Sequence, residues 1–84
     1  MSDKYGVPRW SKIAERSYEA NESFAQGFVF GAVRPACLWA WTVYWGGGHA
    51  SGVENSFKGA KRMALDRMMR VKVRLIEEAH QQQA

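Results

Sequence analysis

The sequence predicts an all-α chain. A single transmembrane helix is preceded by a short amphipathic helix and followed by a long charged amphipathic one. Three observations carry that expectation. Residues 24–45, FAQGFVFGAVRPACLWAWTVYW, make the one long apolar run. Gly46, Gly47 and Gly48 follow it, and three flexible residues without side chains would end a helix. Beyond them Phe57, Ala60, Ala64, Met68, Val71, Leu75 and Ala79 recur every three or four positions, the spacing of a helix with one buried face.

The elements follow in order. Gly6 and Pro8 mark an irregular start. Trp10, Ile13, Ala14 and Ser17 fall at helical spacing and predict a short helix over residues 10–22. Ser23 to Gln26 matches a capping box, from which a second helix would run to Trp45. At ~1.5 Å per residue that span is about 33 Å long, close to the thickness of a bilayer's hydrocarbon core. Trp39, Trp41, Tyr44 and Trp45 gather toward one end, as an interfacial aromatic belt would. Arg34 would lie mid-span, at a cost of about 3 kcal/mol unless a partner or a lipid phosphate compensates it. Pro35 beside it would kink the helix. Ser51 to Glu54 matches another capping box and announces the third helix, over about 52–80. The chain thus divides into an N-terminal segment (1–22), a span with a glycine-rich end (23–48) and a basic helix with its tail (49–84).

Charge and composition narrow the function. Residues 1–22 hold four Lys/Arg and four Asp/Glu, whereas residues 50–84 hold seven and four, a net of +3. A basic segment beside an apolar one points to anionic lipid or an acidic partner. Nucleic acid is disfavoured, because the aromatics are not interleaved with the basic residues. The lack of an early apolar region with a small-residue cleavage site argues against a secretory signal, and Asp3, Glu15, Glu19 and Glu22 argue against a mitochondrial presequence. A single cysteine, Cys37, precludes an internal disulfide. No catalytic arrangement, metal cluster or phosphate loop is readable, so the chain is expected to be non-catalytic, without a metal or a small-molecule substrate. His49 stands alone as a conceivable ligand for a metal or pigment.

Small residues supply the candidate contacts. Gly27 and Gly31 form a GxxxG, which in a membrane lets two helix backbones approach. Ala32, Ala36 and Ala40 form a second small-residue row on the opposite helical face. Arg34, Trp45, Lys58, Lys61 and Arg62 are the candidates for lipid or partner binding.

Gly27-Phe28-Val29-Phe30-Gly31-Ala32-Val33-Arg34 resembles the membrane motif of mitochondrial ATP synthase subunit e, which shows Gly-x-x-aromatic-Gly-Ala-x-basic in its single span. The sequence departs from that family by staying apolar through Trp45 and by its glycine break. The resemblance implies an accessory subunit of the mitochondrial inner membrane, single-pass. It would pack Gly27 and Gly31 against a subunit g-like helix, help join synthase dimers and bind cardiolipin or a partner carboxylate through Arg34. It also implies that the basic tail faces the intermembrane space, whereas charge bias alone favours the opposite side. A looser similarity connects Pro35, the aromatic run and Trp45-Gly46 to the small single-span subunit of cytochrome bc complexes. The other readings are a soluble helical adaptor whose basic third helix binds an acidic partner, a pigment-binding or electron-transfer polypeptide using His49, and a small phage or bacterial membrane protein.

Overall fold

Alternation, not helical spacing, governs most of the chain. The computed structural model describes residues 9–83. Five strands follow one another: β1 (Ser11–Ala14), β2 (Ser17–Phe24), β3 (Gly27–Pro35), β4 (Trp39–Trp45) and β5 (Gly48–Glu54). One helix, α1 (Phe57–Gln83), closes the chain. The strands pair antiparallel in the order β1-β2-β3-β4-β5, each joined to the next by a short hairpin loop.

The all-α expectation is therefore corrected, and residue type explains why. Phe28, Val29, Phe30 and Val33 in β3, and Trp39, Trp41, Thr42, Val43, Tyr44 and Trp45 in β4, are the β-branched and aromatic residues that fit a pleated surface. Gly46-Gly47 is a two-residue hairpin turn rather than a helix end. The first loop, Glu15-Arg16, holds Arg16 at a φ of 63°, a left-handed turn position. The segment expected as a helix over 10–22 is the β1–β2 hairpin. The capping-box residue Ser23 lies within β2 and Ser51 within β5. The irregular start expected at Gly6 and Pro8 lies outside the described residues.

The expected span meets the same correction. Residues 24–45 are divided among the end of β2, β3, a loop and β4. Among the described residues no helix is long and apolar enough to cross a membrane. Arg34 is exposed near the end of β3, and Pro35 ends that strand instead of kinking a helix.

α1 is the element the spacing foresaw, with a start five residues later than expected. Ser56 caps it: the Gly59 N–H donates to Ser56 Oγ at 3.0 Å and the Ala60 N–H to the Ser56 carbonyl at 3.0 Å. Its stripe Ala60, Ala64, Met68 and Val71 packs on one face of the sheet, chiefly over β3 and β4. There it meets Ala20, Val29, Val33, Trp41 and Val43, all 5% exposed or less. Side chains alternate across a strand, so Gly27 and Gly31, four residues apart, share this covered face. A Cβ on Gly31 would stand 2.5 Å from Met68 Sδ, so any larger residue here has to displace the buried Met68 side chain or the helix itself. Gly52 and Gly48 serve the edge of the same face. They are the cross-strand partners of Trp41 and Trp45, whose indole rings lie over them and fill the missing side-chain volume.

Candidate interaction surfaces

The first surface lies along α1. Steps of three and four residues place Lys58, Lys61, Arg62, Leu65, Asp66 and Met69 together on one flank of the helix, where they form a shallow, open patch. Leu65 and Met69 give it an apolar floor, and Lys58, Lys61 and Arg62 rim it. The Lys61 ammonium sits 5.7 Å from the Phe57 ring centroid, in reach of a cation–π contact. Asp66, the one acid here, is drawn to Arg70 at 3.1 Å. Residues 57–70 carry five Lys/Arg (Lys58, Lys61, Arg62, Arg67 and Arg70) against Asp66 alone, so this half of α1 is net +4.

Further along the helix, Lys72 is 3% exposed and its ammonium lies 2.6 Å from Glu22 Oε2 on β2. The same ammonium sits 5.6 Å from the Phe24 ring centroid. This pair ties α1 to β2 and is directed into the protein rather than toward a partner.

The second surface is the sheet face away from α1. The register lines up Asn21, Phe30, Tyr44 and His49 across four strands, with Phe28 in the adjacent position along β3. Ring centroids of Phe30 and Tyr44 are 6.3 Å apart, those of Tyr44 and His49 5.9 Å. Phe28, Tyr44 and Val53 remain exposed on this side. Its charges are sparse: Glu19 stands in the next row and Arg34 beyond it.

The residues singled out from sequence are dispersed. Gly27 and Gly31 face α1. Ala32 is buried on β3, Ala40 is half-buried on β4, and Ala36 is exposed in the loop between them, so no continuous row of alanines exists. Arg34 lies on the open face and Trp45 on the covered one, where it shares a groove with Val71, Arg74, Leu75 and Glu78. Only Lys58, Lys61 and Arg62 come together. Leu65 and Met69, which helical spacing places beside the core stripe as packing residues, complete their patch. Cys37 is exposed in the β3–β4 loop, and among the described residues no three His, Cys, Asp or Glu side chains gather as a metal cluster. Comparison with protein-family models, curated proteins and solved structures returns no match.

Proposed function

We propose that the chain is a non-catalytic binding module that receives an acidic amphipathic segment of another protein along α1. The observation that supports this is the shallow apolar patch of Leu65 and Met69 bordered by Lys58, Lys61 and Arg62, on a half-helix of net charge +4. An apolar floor contributes affinity through desolvation, while a basic rim steers an acidic partner and fixes its orientation. A helix with leucines every third or fourth residue and carboxylates beside them matches both parts.

Anionic lipid shares the charge chemistry but fits less well. A helix that lies in a bilayer surface needs a wide free apolar face, and the main stripe of α1 is committed to the sheet. The subunit e-like role required a helical Gly27–Gly31 contact in a span; those residues are in a strand, and the role draws no support from this arrangement.

The test is a titration of the ¹⁵N-labelled chain with an acidic amphipathic peptide, with phosphatidylserine vesicles and with a single-stranded oligonucleotide. The peptide is expected to shift Leu65 and Met69 resonances, and binding should weaken about tenfold in the Lys61→Glu/Arg62→Glu variant, whose melting temperature stays near that of the parent. Shifts confined to the open sheet face, or response to vesicles or oligonucleotide alone, would defeat the reading.

A further inference from the structure

The two edges of the sheet are built differently. β1 is four residues long, carries Lys12 and is interrupted by a bulge between Lys12 and Ala14, three devices that discourage another strand from joining. β5 is seven residues long, in continuous register with β4, and carries no proline, lysine or bulge.

Hydrogen-bond phase shows what β5 offers. A two-residue hairpin loop closes on a hydrogen-bonded pair, here Trp45 and Gly48, and bonded and non-bonded pairs alternate from there. Gly48, Ala50, Gly52 and Glu54 therefore direct their backbone groups to β4. His49, Ser51 and Val53 direct theirs outward. We infer that a second copy of this chain pairs its β5 with this β5, antiparallel about a two-fold axis at Ser51, to make one ten-stranded sheet.

Self-complementarity selects this occupant. A two-fold axis perpendicular to the sheet pairs residues of like face, and only alignment on Ser51 uses every outward group. Ser51 meets Ser51 of the second copy, and His49 meets its Val53 in both directions. Three N–H and three C=O groups per copy then form six hydrogen bonds. All seven residues of β5 find partners, with Gly48 opposite Glu54 and Ala50 opposite Gly52, so no like charges are opposed. Little bulk intervenes: the covered-face positions are Gly48, Ala50, Gly52 and Glu54, the Trp rings over Gly48 and Gly52 come from β4, and Glu54 at the strand end meets only a glycine. Val53, 56% exposed on the open face, gains the His49 of the second copy as a neighbour.

The experiment uses the whole chain. Light scattering with size exclusion is expected to give a concentration-dependent mass approaching twice 9.5 kDa. Amide exchange of His49, Ser51 and Val53 should slow about tenfold as the dimer forms. Ser51→Pro removes an outward N–H without touching the β4–β5 ladder and should abolish the dimer in a chain that still melts cooperatively. Ser51→Lys and Ser51→Glu each place two like charges across the axis, and each should weaken association several-fold; an equimolar mixture should restore it. A monomer up to about 1 mM with those three amides exchanging freely would overturn the inference. So would a folded Ser51→Pro chain that dimerises like the parent, or a Lys/Glu mixture that associates no better than either variant alone.

Discussion

On the covered face of the sheet Val29, Val33 and Val43 are fully buried, whereas on the open face Phe28 and Tyr44 stand 44% and 48% exposed. Both sets are apolar, and both come from the same two strands. The difference is α1, which lies over one side alone. Apolarity at a position of this sheet therefore does not by itself report its contribution to folding: a large side chain stabilises most where the helix removes it from water. The open face keeps apolar side chains that folding leaves partly in water.

The sharpest way to break the contrast is at Gly31. Its would-be Cβ points at the Met68 sulfur, and leucine there has to displace the fully buried Met68 side chain or α1 itself. Overpacking of this kind costs about 3 kcal/mol or more, a large part of the stability of a domain this size. Gly31→Leu is expected to lose its cooperative melting transition, and a parent-like melting curve would show that α1 is not clamped over β3.

Met68→Ala probes the same contact from the helix. Met68 is fully buried at the centre of the core, so its truncation should cost about 4 kcal/mol, measured by urea unfolding. A cost below about 1 kcal/mol would mean the core collapses around the gap.

Glu22 and Lys72 are the covered face's exception, a charge pair where apolar contact is the rule. Glu22→Leu leaves the buried ammonium without that carboxylate and should cost about 3 kcal/mol, the low end for such a pair because the Glu22 side chain is 30% exposed. Glu22→Leu combined with Lys72→Met should recover most of the loss, since an apolar pair of similar volume needs no compensation. A double variant no more stable than the single one would show that the ion pair itself holds α1 to β2.

The same difference between faces explains what could be read from sequence. α1 was legible because a helix buried on one side carries its period openly, from Phe57 to Leu75, and Ser56 rather than Ser51 as its cap was a local ambiguity. The basic rim Lys58, Lys61 and Arg62 was legible for the same reason. β3 was not: with Val29, Gly31 and Val33 under the helix and Phe28, Phe30 and Ala32 on the other side, the strand loses its polar alternation and reads as a continuous apolar run. The glycines deepened the error, since Gly27 and Gly31 have the same spacing whether two helices or a helix and a strand approach through them. The pointers to a sheet were residue type, dense in valine and tryptophan, and Gly46-Gly47 between two such strands.

The smallest expected effect is the one most informative about the open face. Tyr44→Ser deletes a ring that touches Phe30 and His49 but is not covered by α1. A cross-strand aromatic pair of this kind contributes about 0.5 kcal/mol, so the melting temperature of the dilute chain should fall by about 2–4 °C. The equivalent change on the covered face would remove several times as much. A fall of more than about 10 °C would mean that Tyr44 is buried in solution by something α1 does not supply. A second copy is then the first occupant to test, and concentration tells the cases apart: a loss that grows with protein concentration belongs to an interface, while a constant loss belongs to the fold of one chain.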